Sequence, residues 1–362
     1  TVALSSAMTA CNFGGGKKDD TSVVQVTPTP EPTKAPKATP TQAPADAQIA
    51  FVDNQFVIQD ETQGTTIDEG TLLTALEEAV CTSQTKLSVE KTGAYAKPSV
   101  TKDDETLKNL CDTMNRCREM TVTYTFGEQS EVLDPATICS WITGSAEGQI
   151  QLNMDQVNAY VQTLAAKYNT AGTARTFHTA TGRDVSVTGP FGWKIDQAGE
   201  AQALADVIRS AQSQSREPVY ASRAVDRSAA EWGSTYVEVD LSGQHVYMTK
   251  DGAVVWDALC VTGNVSKNYT TPPGLYSLTY KQRDRVLRGQ KKADGKYEYE
   301  TPVSYWMPFN GGIGLHDANW RSKFGGTIYQ NGGSHGCVNL PPEKAAALYD
   351  LVYTGIPVIC YN

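Results

Sequence analysis

A cysteine near the C-terminus lies in a setting that suits nucleophilic chemistry. Cys337 follows the small, flexible run Gly332-Gly333-Ser334-His335-Gly336, and His316 lies further upstream. An imidazole titrates in the range needed to draw a proton from a thiol, and the resulting thiolate is the nucleophile. Gly336 allows close backbone approach, so that amides around Cys337 can face a developing oxyanion. The pattern indicates a cysteine acyl-transfer site.

The same residue types have a simpler explanation, which is packing. A buried cysteine more often acts as a small apolar side chain than as a nucleophile, and a nearby histidine can be a core residue or a metal ligand. Besides Cys11 and Cys337, the sequence contains Cys81, Cys111, Cys117, Cys139, Cys260 and Cys360, with no Cys-x-x-Cys spacing. We therefore expect no metal site and no cofactor. Cys260 and Cys360 lie on two predicted strands, and the sequence leaves open whether they pair.

The order of these residues favours the catalytic reading. His316, a spacer, and then Ser334-His335-Gly336-Cys337-Val338-Asn339 resemble the signature of the L,D-transpeptidase catalytic domain (the YkuD-type fold) of bacterial cell-wall synthesis. Residues 271–276, Thr-Pro-Pro-Gly-Leu-Tyr, resemble that family's entry into a strand. Residues 236–248 resemble its opening hairpin, with apolar residues that alternate on either side of a Leu-Ser-Gly turn.

The resemblance implies a fold and the extent of a domain. Residues 233–362 are expected to form a mostly antiparallel β-sandwich with a packed helix over 341–353 and a last strand over 356–361. Proline in the first turn of that helix and an apolar stripe behind it fit the assignment.

The resemblance also implies a mechanism. Cys337 would attack the carbonyl that joins the third residue of a peptidoglycan stem peptide, a diamino acid, to the fourth, D-alanine. His316 would take the thiol proton and return one to the leaving amine, while the backbone carbonyl of Asp317 orients the imidazole. Whether the Asp317 carboxylate contributes stays open. An amine of a second stem would then attack the thioester and form a third-to-third cross-link.

Further residues are expected to shape this site. Backbone amides at Cys337, Gly336 and His335 would form the oxyanion hole. Substrate would contact Ser334, Asn339, Tyr305, Trp306, Met307 and Trp320, although ordinary core packing explains each aromatic equally well. Carbapenems would acylate Cys337.

The sequence is also compatible with three other functions. Water as the acceptor would give an L,D-carboxypeptidase, and a protein amine would give an anchoring enzyme. A non-enzymatic wall-binding module is the alternative from another class, and the intact cysteine and histidine set argues against it.

The middle of the chain, residues 48–220, is predicted to be an α+β domain, so the fold class is multidomain. Its predicted strands cover 51–59, 121–126, 149–152, 176–179 and 185–187. Its predicted helices cover 72–80 with Asp68 or Thr71 as the cap, 105–120, 155–168, and 196–213 with Asp196 as the N-cap. This stretch resembles the peptidoglycan-binding domain that precedes some L,D-transpeptidase catalytic domains, and the alternative is a plain scaffold.

The first residues indicate export. Residues 1–11 resemble a truncated export signal or a lipoprotein signal that ends in Met8-Thr9-Ala10-Cys11, with Cys11 as the lipidated residue. The tail of an ordinary signal peptide or an uncleaved anchor is the alternative. Residues 12–47, rich in Pro, Thr, Ala and Lys, are expected to be a disordered linker. We expect a cell-wall location outside the cytoplasm and membrane contact through the N-terminal anchor only. The net charge of -9 argues against a nucleic-acid partner.

Overall fold

The computed structural model describes residues 2–3 and 41–362. They form two compact units: one holds the described residues up to Arg118 together with Gly144–Gln151, and the other holds Glu119–Thr143 and Leu152–Asn362. The second unit spans the predicted boundary near residue 220, so the domain limits 48–220 and 233–362 stay predictions. Cys11 and most of the predicted linker lie outside the described residues. None of the described helices combines the length and the apolar character that crossing a bilayer requires.

The N-terminal elements match the predicted α+β class. They are the strands β1 (Val2–Ala3), β2 (Gln48–Val52), β3 (Gln55–Gln59) and β4 (Lys86–Leu87), and the helices α1 (Glu69–Cys81), α2 (Val89–Thr92) and α3 (Glu105–Arg116). The Asp68 side chain accepts from the Thr71 amide at 2.8 Å and caps α1, as predicted. The predicted linker runs to residue 47, but Ala45 already pairs with Thr62 in a β-bridge and Ala47 is buried.

The single strand predicted over 51–59 is wrong, because this stretch is the β2–β3 hairpin. Asp53 and Asn54 have φ of 49° and 61° and form the turn between the two strands. Asp and Asn tolerate the left-handed region better than other side chains, so their adjacent positions were the available signal.

The chain continues through a mixed region. Its elements are β5 (Val122–Phe126), β6 (Gln129–Leu133), α4 (Pro135–Trp141), β7 (Ile142–Ala146), β8 (Gln149–Leu152), α5 (Met154–Tyr168), β9 (Arg175–His178), β10 (Asp184–Val187), β11 (Lys194–Ile195), α6 (Gln197–Ser210), β12 (Gln214–Arg216) and β13 (Tyr220–Ser222). Asp196 caps α6 as predicted, through its contact with the Gly199 amide. The helix ends before the predicted residue 213 because Ala211 adopts a left-handed conformation, which stops the helix.

The C-terminal region is built from two sheets. Its elements are β14 (Tyr236–Asp240), β15 (His245–Lys250), β16 (Ala253–Leu259), β17 (Gly274–Ser277), β18 (Gln282–Arg288), β19 (Glu300–Asn310), β20 (Ile313–Asp317), α7 (Ile328–Gly332), β21 (Val338–Leu340), α8 (Pro342–Leu351) and β22 (Pro357–Tyr361). One sheet has the order β16-β15-β14-β22-β17 and the other β18-β19-β20-β21. Only β14–β22 and β20–β21 pair in parallel within these two sheets.

A shared core joins the two sheets and the last helix. Val237 and Val246 from the first sheet, Leu315 and Val338 from the second, and Leu348 from α8 belong to one buried cluster. The predicted β-sandwich with a packed helix is therefore confirmed.

The second unit also contains a buried ionic network whose stability contribution can be measured. Glu200, fully buried, accepts from the Tyr124 hydroxyl at 2.5 Å, from the Val219 amide at 2.6 Å and from Arg216 at 3.0 Å. Removing one partner leaves the others desolvated and unpaired.

We expect Glu200→Ala to lower the free energy of unfolding by about 3 kcal/mol, the usual effect of breaking a buried pair. Glu217→Ala is the control, since the Glu217–Arg223 pair is exposed and such pairs contribute less than about 1 kcal/mol. Urea denaturation of both variants makes the measurement. Equal midpoints would contradict a stabilising role for the network.

Candidate active site

Two short parallel strands place the predicted catalytic residues side by side. In the β20–β21 pairing, Leu315 lies opposite Val338 and His316 lies opposite Asn339. Cys337 immediately precedes β21. Residues far apart in sequence are thus fixed in register by backbone hydrogen bonds, and His316 and Cys337 line the same cavity, of about 240 Å³.

The His316 ring is held in one orientation. His316 is buried, and its Nδ1 lies 2.8 Å from the backbone carbonyl of Asp317. Because a carbonyl can only accept, Nδ1 carries the proton, and Nε2 of the neutral ring is an acceptor. Burial lowers the pKa of His316 below its usual value, and the hydrogen bond to Asp317 partly opposes this. The imidazole is therefore a neutral base at rest.

The Asp317 carboxylate is engaged elsewhere. Its Oδ1 accepts from the backbone amide of Tyr305 on β19 at 2.8 Å, and the side chain is buried. The backbone carbonyl of Asp317 orients His316, while the carboxylate fixes the neighbouring strand and adds a nearby negative charge.

The Cys337 thiol is neutral at rest as well. Cys337 is half-buried, and its Sγ lies 3.6 Å from the Gly312 carbonyl oxygen. Burial raises the pKa of Cys337 to about 11, although a hydrogen bond from the Gly314 amide acts in the opposite direction. A neutral thiol beside a neutral imidazole requires proton transfer during attack.

Hydroxyl groups fix the turn before the cysteine. The Ser334 hydroxyl accepts from the Gly336 amide at 3.0 Å and donates to the Cys337 carbonyl at 2.6 Å. The Thr271 hydroxyl donates to the Gly336 carbonyl at 2.6 Å and accepts from the Gly263 amide at 3.0 Å. The Gly336 amide is already bonded to the Ser334 hydroxyl, so the contribution of Gly336 is the backbone conformation of the turn. Its φ of 119° is a conformation that glycine adopts without strain.

The cavity contains some of the predicted substrate-contacting residues. These are Ser334, Trp320 and Asn339, and His335, predicted to belong to the catalytic set, lines the cavity as well. Trp320 is about half exposed, with its ring centroid 5.9 Å from that of His316. The buried Oδ1 of Asn339 has no hydrogen-bond partner among the described residues.

His335 lies at the rim rather than beside the buried base. Its ring is partly exposed and lies 4.5 Å from the Tyr269 ring and 4.7 Å from the Tyr299 ring, measured between centroids. Its Nε2 is 3.8 Å from a Glu298 carboxylate oxygen. These contacts suit an orienting role for His335.

Three predicted cleft residues, Tyr305, Trp306 and Met307, do not line this cavity. Met307 is fully buried in the sandwich core, and Tyr305 packs against Tyr349 at the edge of that core. Alternate side chains of a strand point to opposite faces, so Trp306 faces the other way. Trp306 is buried with its ring 6.0 Å from His316, and it supports the base without lining the cavity.

The sequence analysis missed several residues around the site. Arg321, Tyr299, Thr301 and Leu287 line the cavity, and Thr271 holds its main turn. Thr271 lies in the Thr-Pro-Pro-Gly-Leu-Tyr motif of residues 271–276 and Arg321 follows the His316 segment, so the sequence contains a signal for both. Leu287, Tyr299 and Thr301 come from the β18–β19 hairpin, which no local pattern connects to Cys337.

Two further cysteines lie in the core of the C-terminal region. Cys260 and Cys360 are buried as separate thiols, and burial raises the pKa of each. Within residues 2–3 and 41–362, no three His, Cys, Asp or Glu side chains cluster as a metal site would need.

Comparison with known proteins identifies the family of this chain. Residues 234–360 match the model of the L,D-transpeptidase catalytic domain. One similar solved structure is the carbamoyl enzyme of Ldtfm with avibactam, whose sequence is 33% identical to this chain. The match has a TM-score of 0.55 and covers 71% of this chain and 99% of that one. A mutant L,D-transpeptidase from Enterococcus faecium is 32% identical, with a TM-score of 0.54 and coverage of 69% and 98%.

A third solved structure, the E. faecium catalytic domain acylated by ertapenem, is 40% identical over 35% of this chain and 97% of that one, with a TM-score of 0.32. The search of curated proteins gives no match. The chain belongs to the L,D-transpeptidase family of cysteine-dependent enzymes, which act on cell-wall peptidoglycan.

The hydroxyl of Thr271 gives a testable prediction. Thr271→Val leaves the Gly336 carbonyl and the Gly263 amide unpaired, and a shift of the turn near 1 Å costs roughly 100-fold in rate. We expect p-nitrophenyl acetate to acylate Cys337 at least tenfold more slowly, by this reasoning. Thr271→Ser, which keeps the hydroxyl, is the control. Iodoacetamide alkylation needs no oxyanion donor and should change less. Equal losses with both reagents would indicate general disorder of the site.

The resting protonation state can be tested by alkylation. With a pKa of about 11, the thiolate fraction of Cys337 rises about tenfold per pH unit between pH 6 and 9. We expect the alkylation rate to rise with that slope, followed by mass spectrometry of the Cys337 peptide. A plateau near neutral pH that disappears in His316→Ala would reveal a thiolate–imidazolium pair instead.

Proposed function

We propose that this enzyme cross-links peptidoglycan stem peptides between their third residues through a thioester on Cys337. The observation that carries the proposal is the buried His316, whose Nδ1 is held by the Asp317 carbonyl while its ring shares a cavity with the Cys337 thiol. This arrangement leaves Nε2 as an acceptor beside a nucleophile, which is what acyl transfer requires.

In the first half-reaction, Cys337 Sγ bonds to the carbonyl carbon of the third residue. The thiol proton passes to His316 Nε2 and then to the nitrogen of the departing D-alanine, whose bond to that carbon breaks. The Cys337 amide is the proposed oxyanion donor, since the Gly336 amide is held by Ser334. The developing charge is stabilised by donors that are already in place.

In the second half-reaction, the side-chain amine of another stem attacks the thioester. His316 accepts its proton, the new amide bond forms, and the thiol is restored. The proposed substrate contacts are the unpaired Asn339 Oδ1, Ser334, Trp320 and the orienting His335. Trp306 supports His316, and no cofactor takes part in the proposed steps.

The relatives suggest an inhibitor class. Relatives are described as a carbamoyl enzyme with avibactam and as acylated by ertapenem. We infer that carbapenems acylate Cys337 here by the same attack. The expected wall location, an anchor through Cys11 or an uncleaved segment, and glycan binding by the middle domain are part of the same proposal.

The function is tested with defined tetrapeptide stems and product masses. Wild-type protein should form a cross-linked dimer and release D-alanine, and Cys337→Ala should reduce this by roughly 10⁴-fold or more because the nucleophile is lost. Cys81→Ala, which changes an exposed cysteine, is the control. A carbapenem should add its mass to the Cys337 peptide only.

Other products would point to other functions. A tripeptide without a dimer would indicate a carboxypeptidase, and transfer to a protein amine would indicate an anchoring enzyme. Unchanged stems together with an unmodified Cys337 would reject acyl transfer by this chain.

A further inference from the structure

One permanent positive charge lies in the wall of the active-site cavity. Among the described residues that line it, Arg321 is the only arginine, and no lysine, aspartate or glutamate accompanies it. A single guanidinium next to a nucleophile points to an anionic group on the ligand.

Arg321 has no protein partner for its side chain among the described residues. Its Nε is buried and unpaired, and none of the described carboxylates forms an ion pair with it. Two other arginines of the same unit have carboxylate partners: Arg216 pairs with Glu200, and Arg288 with Glu300. Burial lowers the pKa of Arg321, which reflects the cost of holding an uncompensated cation away from water.

The surroundings of Arg321 are fixed and close to the base. Its backbone amide donates to the Ala318 carbonyl at 3.1 Å, just after β20, so the residue follows directly from the segment that carries His316. Its charge also lowers the pKa of His316, so the two groups lie within electrostatic reach. Arg321 thus lies near the base in the wall of the same cavity.

The covalent structure of the donor peptide indicates which of its carboxylates lies near Arg321. In the proposed function, on which this step rests, His316 returns a proton to the amine of the leaving D-amino acid. The carboxylate of that residue is only two bonds from the amine, so it must stay close to His316. Other stem carboxylates are separated from the amine by longer chains and need not enter a cavity of about 240 Å³.

We propose that Arg321 binds the C-terminal carboxylate of the leaving D-amino acid and so selects donors that end at their fourth residue. A guanidinium offers two parallel N–H donors to a carboxylate, which fixes its position as well as its charge. A donor with a fifth residue has an amide at that point and loses this pairing.

The test compares two synthetic tetrapeptide donors, one ending in D-alanine and the other in D-alaninamide. For wild-type full-length protein, we expect kcat/KM for leaving-group release to be roughly 10- to 100-fold higher with the free acid, the usual effect of a hydrogen bond to a charged group. In Arg321→Gln this preference should fall to about threefold or less, and Arg321→Lys should keep part of it. Lys323→Gln, an exposed cation nearby, should keep the full preference.

The ratio between donors separates the outcomes. Equal loss with both donors in Arg321→Gln would assign Arg321 a structural role and overturn the proposal. So would an unchanged preference in that variant, or wild-type protein that uses both donors equally well. A third donor with the third-residue side-chain carboxylate amidated tests the other source of charge: a preference that follows this group would also overturn the assignment. If wild-type protein releases nothing from any donor, the proposed function fails first.

Discussion

The parallel pairing of β20 with β21 is the constraint on which the site depends. It sets His316 opposite Asn339 and places Cys337 one residue before the second strand. Both strands are buried in a sandwich core that includes Leu315 and Val338, so register is fixed because a slip of one residue would turn these side chains outward. The precision of the chemistry therefore rests on ordinary packing.

Burial has opposite effects on the two reacting groups. It raises the pKa of Cys337 to about 11 and lowers that of His316, so the pair is neutral at rest. Cys337 and His316 therefore become charged only during attack on a bound substrate. The same desolvation strengthens the interaction of any developing charge with nearby amides and with Arg321. A site built in this way has low reactivity without its donor and gains from a donor that carries its own negative charge.

Polar groups around the reacting atoms are held by defined hydrogen-bond partners. Thr271 and Ser334 hold the turn before Cys337, and the Asp317 carboxylate holds the amide of Tyr305. Among the described residues, the buried side-chain polar atoms without a hydrogen-bond partner include two at the cavity, Asn339 Oδ1 and Arg321 Nε. Buried polar groups without partners are costly, so these two atoms differ from the paired groups around them.

The sequence alone was enough to predict the candidate site residues of the signature motif and the helices that begin at a clear capping residue. Cys337, His316 and the α1 and α6 caps at Asp68 and Asp196 could be read directly, because each depends on residue type and short-range spacing. The β2–β3 turn and the end of α6 were misread because left-handed backbone at Asp53, Asn54 and Ala211 is only weakly encoded. Only the tertiary structure decided that Met307 packs in the core while Arg321 and Tyr299 line the cavity. Those outcomes depend on strand pairings and core packing between segments far apart in the chain, and no local pattern records them.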